Sequence, residues 1–300
     1  MDEVLRQLER KQGKSRGENP TAYALTLARK GEPYKACRLL MGWVSEFGTD
    51  KGVEDALKLI RSPLANYEIV PGANYFDGLQ KLRTGDTSLQ SHILQGDRRL
   101  ARPLTLRETM IARLEKYFGG GGNNLQLFNI YNDTCTATVH TVEDQSHVTI
   151  IPESRNLITL QQNVDFIQAN QAELAKETGV VYVINRDKKG QKYNQPLSET
   201  EVNKNEGWIF SAEEDTKTIE DYADLAYGLM AQRKRTERKD TTGMGFYLRL
   251  KNKITKNQLR ARYIDELGDG SGASGNYDIY ILVQFARVAQ SSLAEGEPEN

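Results

Sequence analysis

The sequence predicts an α+β protein: a helical N-terminal region, then a mixed, mainly antiparallel sheet region that also carries helices. Through residue 118, apolar residues recur at spacings of three and four, which is typical of amphipathic helices. Beyond residue 124, short runs rich in Thr, Val and aromatic residues alternate with polar ones, as in half-buried strands. Strands and helices alternate only partly there, which favours α+β over a doubly wound parallel sheet.

Helix-start signals define the elements of the N-terminal region. Pro20 and Pro33 each stand at the first position of a helix, and Asp50 caps a third. Thr105 and Glu108 have the spacing of a capping box and precede another apolar stripe. The sequence therefore predicts that residues 1–118 are helical.

A run of four glycines and two asparagines at 119–124 is the predicted boundary of this region. Consecutive glycines are costly in a helix or a strand. We expect a helical region at 1–118, an α+β region at 125–290 and an acidic, flexible tail at 291–300. The glycine run fits an interdomain linker and a long loop within one domain equally well.

The second region contains several predicted strands and a second capping box at Ser198 and Glu201. The predicted strands are Leu125–Tyr131, Cys135–Val142, His147–Ile151, Val180–Ile184, Phe246–Leu250, Leu259–Ile264 and Tyr277–Phe285. A glycine-rich stretch at 270–275 matches the dinucleotide fingerprint G-x-G-x-x-G, but a strand pattern follows it where the fingerprint needs a helix. It is interpreted as a hairpin loop, and no cofactor is predicted.

Composition restricts the location of the protein. The net charge is -1, and only two cysteines occur, which does not suit a secreted disulfide scaffold. The first residues are charged and lack the apolar core of a signal peptide, and no apolar run has the roughly 20 residues of a membrane span. We expect a cytoplasmic protein without membrane contact, with the virion as the alternative location.

No catalytic or metal-binding motif is present in the sequence. Cys135, His140 and His147 are near one another, but on alternating strands His140 falls on the opposite face from the other two. They are interpreted as a buried thiol and two surface imidazoles, and no metal is predicted. A nucleophile elbow and a phosphate loop are also missing, so no catalytic residue is assigned and a non-enzymatic protein is favoured.

The segment 233–262 is the most basic part of the chain. This segment contains eleven Lys and Arg residues and two acidic residues, Glu237 and Asp240, so its net charge is +9. Cations interleaved with aromatic rings are what a nucleic-acid backbone and its bases require. The predicted contacts with nucleic acid or another polyanion are Arg233, Lys234, Arg235, Arg238, Lys239, Tyr247, Arg249, Lys251, Lys253, Arg260, Arg262 and Tyr263.

The sequence thus leaves three classes of function open, the third being an enzyme whose site is assembled from residues distant in the sequence. The leading hypothesis is a structural or interaction protein that associates with itself or with another protein, for example as a component of a phage or a mobile element. The alternative is a nucleic-acid-binding module that uses the segment 233–262. An acidic stretch at 213–224 offers a third interpretation of that segment, because it would neutralise the cations within the fold or in a neighbouring copy.

Overall fold

A computed structural model describes residues 20–61, 67–84, 102–119, 131–159, 171–176, 179–237, 243–248, 254–265, 272–276 and 283–288. The chain divides into two compact units, the first made of residues 1–66 and 114–123, the second of residues 67–113 and 124–300. This division does not follow the predicted boundary. Only Gly119 of the glycine run lies within the described residues, so its role as a linker stays a prediction.

The described part of the first unit is helical, as predicted. Its helices are α1 (Thr21–Arg29), α2 (Pro33–Phe47) and α3 (Lys51–Arg61). Pro33 occupies the first turn of α2, and the Asp50 side chain accepts a hydrogen bond from the Val53 amide at the start of α3. Cys37 and Leu40 of α2 are fully buried, which gives the helix its apolar face.

The second unit contains the remaining elements, and α5 continues into the first unit. Their bounds are β1 (Tyr67–Gly72), α4 (Tyr75–Thr84), α5 (Leu106–Phe118), β2 (Asn132–His140), β3 (His147–Ile151), α6 (Arg155–Ile158), α7 (Gln171–Leu174), β4 (Tyr182–Asn185), α8 (Glu199–Val202), α9 (Glu206–Ser211), α10 (Thr216–Glu237), β5 (Phe246–Tyr247), β6 (Gln258–Ile264), β7 (Ala273–Asn276) and β8 (Val283–Val288). Among these described residues, no helix is both long and apolar enough to cross a membrane.

The strands form two sheets, and the α+β prediction is confirmed. Six strands lie in the order β4-β3-β2-β6-β7-β5, and β1 pairs with β8 in a separate antiparallel ribbon. Among the strand pairs that the structure describes in the larger sheet, only β5 and β7 are parallel. Strand β2 is one of the two central strands, and all nine of its residues are buried, because both faces of the sheet are covered there.

The two faces of the sheet differ in chemistry. On one face, residues of β2 and β6 pack in an apolar cluster with α4 and β8, formed by Val70, Tyr75, Leu79, Leu82, Ala137, Val139, Ile151, Leu157, Leu259, Ala261 and Phe285. Burying each large apolar side chain stabilises the fold by about 1.5–3 kcal/mol. On the opposite face, β2 and β6 carry Thr138, His140, Gln258 and Arg260, all buried. This second layer is polar on β2 and β6, whereas its continuation on β3 carries the buried Val148 and Ile150.

Buried polar side chains tie α5 into the second unit. At its start, the predicted capping box is present: the Thr105 amide donates to Glu108 at 2.8 Å, and the Glu108 amide donates to the Thr105 hydroxyl at 3.1 Å. Further along, Arg113 donates to the Tyr222 hydroxyl of α10 at 2.6 Å and to the Asp265 carbonyl at 2.7 Å. A buried guanidinium is tolerated because these oxygens replace its water.

Two predictions about local structure are wrong. Residues 67–72 form strand β1 inside the region predicted to be helical, where they pair with β8. Residues 273–276, predicted as part of a hairpin loop, form strand β7 between β6 and β5. Small residues suit that position, because a Cβ at Gly272 would lie 2.8 Å from the Tyr247 ring. The six-stranded sheet therefore continues through the glycine-rich stretch.

Candidate functional site

The structure buries part of the basic segment. Arg260 is 7% exposed and Arg262 is fully buried, both on β6. Arg262 donates hydrogen bonds to the carbonyls of Tyr247 and Ala273 at 2.9 and 2.7 Å, and its guanidinium lies 4.1 Å from the centre of the Phe246 ring. This side chain links β5, β6 and β7, so its structural role accounts for its charge, and it does not face solvent.

The other predicted nucleic-acid contacts are distributed differently. Lys234 and Arg235 are exposed near the end of α10, whereas Arg233, Tyr247 and Tyr263 are half-buried. The remaining predicted contacts lie outside the described residues: Arg238, Lys239, Arg249, Lys251 and Lys253. The described members do not form one open basic surface, and nucleic-acid binding stays a prediction.

The three side chains considered for a metal have separate environments. The Cys135 thiol donates to the Pro103 carbonyl at 3.1 Å, and burial raises its pKa well above the usual range. His147 is partly exposed and its Nδ1 lies 2.7 Å from Asp144. His140 is only 1% exposed, so its assignment as a surface imidazole is wrong. Within the described part of the chain, no three His, Cys, Asp or Glu side chains converge as metal ligands would.

Strand β4 is an edge of the six-stranded sheet and is unusually apolar for its exposure. Among the described residues, it pairs with β3 alone. Val183 of β4 is 58% exposed, and Val180 and Val181, immediately before the strand, are 68% and 44% exposed. We call these three residues the valine strip. Edge strands present unpaired backbone donors and acceptors, and natural proteins usually protect them with charged residues, proline or bulges. The valine strip has none of these.

The inner side of β4 is held rigidly. Ile184 is fully buried, and Tyr182 stacks on Phe210 of α9, with ring centroids 4.7 Å apart and an interplanar angle of 6°. Helix α9 is fixed at its start by Asn205, which accepts from the Trp208 amide and donates to the Lys192 carbonyl at 2.8 Å. The edge is therefore a fixed platform, and binding there requires little ordering of the chain.

The start of β4 lies beside an acidic corner, formed by Glu213 and Glu214. Partial burial, followed by the carboxylates of Glu214 and Glu213, raises the pKa of Tyr182. Both glutamates are exposed and both have left-handed backbone, with φ of 56° and 64°. Their amides donate to the carbonyls of Phe210 and Ile209 at the end of α9. This is the Schellman arrangement, in which glycine is the usual residue.

The end of β4 has the opposite charge. The turn 186–189 carries three basic residues and Asp187, for a net charge of +2. Lys188 forms an ion pair with Glu206, whereas the neighbouring Lys189 is exposed. The apolar edge is thus bounded by an acidic corner at its start and a basic turn at its end.

Replacing Glu213 with glycine is expected to raise the free energy of unfolding by about 0.5–1 kcal/mol, because a left-handed non-glycine residue costs more than the entropy of glycine. Denaturant unfolding followed by circular dichroism measures this change. The matched control is Glu220→Gly, at an exposed position inside α10, which should lower stability by about 1 kcal/mol. Equal losses in both variants would contradict the expectation.

Comparisons with known proteins yield one distant structural likeness. No protein-family model matches the chain, and no curated protein sequence matches it. The chain is similar to a solved structure described as "Accommodation of massive sequence variation in Nanoarchaeota by the C-type lectin fold". The two share 14% sequence identity with a TM-score of 0.43, over 75% of this chain and 98% of the other. A TM-score this low does not establish a shared fold, and no function is transferred from that protein.

Proposed function

We propose that the protein is a non-enzymatic interaction protein that associates with a second copy of itself along β4. The observation that carries this proposal is the valine strip: Val183 on the edge strand β4, and Val180 and Val181 immediately before it, are exposed. The strand is packed on its inner side and is bounded by opposite charges. Adding a strand to such an edge would pair its free backbone groups and remove apolar surface from water. Binding at this edge requires no catalytic group.

Charge favours a second copy over an unrelated strand. In a two-fold symmetric contact, the same surface meets itself, so antiparallel pairing places the start of one β4 beside the end of the other. The acidic corner of each copy then faces the basic turn of its partner, at both ends of the contact. A parallel arrangement would instead bring like charges together.

The left-handed glutamates add support from backbone energetics. Glycine would suit positions 213 and 214 better, yet both carry carboxylates held outwards next to β4. Strained residues are retained where the rest of the structure over-determines them, and they cluster at functional sites. The proposal gives these two side chains a use, namely to meet the partner's basic turn.

A charge-exchange experiment tests this contact. Lys189→Glu lowers the net charge of the turn 186–189 from +2 to 0, and Glu214→Lys removes the net negative charge of the acidic corner. Each variant alone should therefore self-associate about tenfold more weakly than the original protein. When the two variants are mixed, each opposes the other's altered charge, and association should return. Sedimentation velocity over a concentration series measures the three cases.

Two valine variants supply the matched control. Val183→Lys places a charge in the middle of the edge and should abolish association, whereas Val142→Lys, at a 37% exposed valine in the turn after β2, should leave it unchanged. A monomeric original protein at high concentration, or association that Val183→Lys does not disturb, would rule out the contact. The predicted setting in a virion or a mobile element stays a prediction that this experiment does not address.

A further inference from the structure

The polar face of the six-stranded sheet gathers several cationic and hydrogen-bonding side chains. In the register of β2 and β6, Thr138 lies opposite Arg260 and His140 lies opposite Gln258, and directly opposed residues share a face. Arg260 donates to Gln258 from both Nε and Nη2, at 3.2 and 2.8 Å. Their positions therefore place a guanidinium diagonally beside the imidazole of His140.

A second guanidinium approaches from the other side. Thr138 of β2 pairs with Ile150 of β3. His140, two residues further along β2, is therefore level with the β3 residue that pairs with Ile184 of β4. Arg186 follows Ile184 on the same face by strand alternation, and it is half-buried, with Nη1 donating to the Gln145 carbonyl at 3.0 Å. Arg260, Arg262 and Arg186 are all within electrostatic range of the imidazole.

His140 has no hydrogen-bond partner among the residues that the structure describes. The residue is 1% exposed, and within that part of the chain neither Nδ1 nor Nε2 has a donor or an acceptor, nor does the hydroxyl of the fully buried Thr138. Leaving buried polar atoms unsatisfied is costly, and in native structures such atoms point to a bound water or ion. Two neighbouring unsatisfied side chains on one polar face indicate a ligand.

We propose that this face binds a small oxyanion, such as phosphate, sulfate or a carboxylate, against His140 and Thr138, between Arg186 and Arg260. The charges select the class of ligand, since guanidinium groups repel a metal cation and are attracted to an oxyanion. An oxyanion accepts hydrogen bonds from an imidazole N–H, from a threonine hydroxyl and from guanidinium groups at once. The site is independent of the self-association proposed for β4.

Histidine NMR on the full-length protein tests the site, because the chain has only three histidines. Inorganic phosphate and sulfate are each titrated near neutral pH, and the His140 ring signals are assigned by their loss in His140→Gln. Saturable shifts of the His140 signals are expected, with the ring moving toward the doubly protonated form, because a bound anion stabilises the imidazolium. Sodium chloride at matched ionic strength should not reproduce these shifts.

Two variants distinguish phosphate binding at this site from a nonspecific effect of ionic strength. Arg260→Met should weaken phosphate binding about tenfold or more, by removing a charge-assisted contact, while Arg235→Met, at an exposed arginine of α10, should leave it unchanged. Because Arg260→Met could unfold the chain, the titration of the original protein is decisive by itself. Unchanged His140 signals throughout both titrations, or shifts equal to those of the partly exposed His147, would overturn the proposal.

Discussion

Acidification from about pH 6.5 to about pH 3 is expected to lower the free energy of unfolding by roughly 4 to 5 kcal/mol through His140. Burial, and then Arg260, Arg262 and Arg186, lower the pKa of this imidazole to about 3 in the folded protein. Above pH 6.5 the imidazole is neutral in both states and contributes no pH dependence. Below it, the unfolded chain takes up a proton that the folded protein excludes, so stability falls as the pH falls.

The measurement is urea unfolding at several pH values in a chloride buffer without phosphate or sulfate. The window from pH 6.5 to pH 5 isolates the histidine, because carboxyl groups with a lowered pKa, such as Glu201, act only below about pH 4.5. His140→Gln should flatten the slope in this window. Identical slopes in the original protein and in His140→Gln would refute the assignment.

Replacing Gly207 with alanine is expected to destabilise the protein by about 3 kcal/mol, even though alanine favours helices. A Cβ at this buried position of α9 would lie 2.4 to 2.7 Å from three atoms of the Phe246 ring. That ring is unable to move aside, because it is enclosed by Trp208, Tyr193 and the guanidinium of Arg262. Thermal and denaturant unfolding both report the loss.

The same substitution at Gly228 provides the control with the opposite sign. Gly228 lies inside α10, and a Cβ there would meet nothing within 4 Å. Gly228→Ala should therefore stabilise the protein by about 0.5–1 kcal/mol, through helix propensity and a less flexible unfolded chain. Gains in both variants would mean that the Phe246 ring has room that the structure does not indicate.

Local signals were sufficient to predict many of the elements. The helices that begin at Pro33 and near Asp50, and the capping boxes at Thr105 and Ser198, depend on contacts within a few residues, and all are present. Local signals could not predict strand β1, because its partner is β8, at the other end of the second unit. Strand β7 was missed because its small residues carry no apolar alternation.

The sequence predicted only part of the candidate surface. The run Val180–Ile184 was predicted as a strand, and the strand is present at residues 182–185, but alternation does not tell an edge from a central strand. Conversely, charge alone suggested that Arg260 and Arg262 face a polyanion. Both belong to a strand of strict alternation at the middle of a sheet, where burial depends on what packs above it. Such tertiary contacts are not encoded in the spacing of residues.

The pairing of β1 with β8 has a consequence for synthesis of the protein. Tyr67 lies opposite Val288, so β1 has no partner until more than 200 further residues have been translated. At about 5–20 residues per second, this takes roughly 10 to 40 s. During that interval the apolar cluster beneath α4 lacks Phe285, which belongs to β8. A contact of such long range slows folding and exposes a strand edge, so the nascent chain is a predicted client of ribosome-associated chaperones.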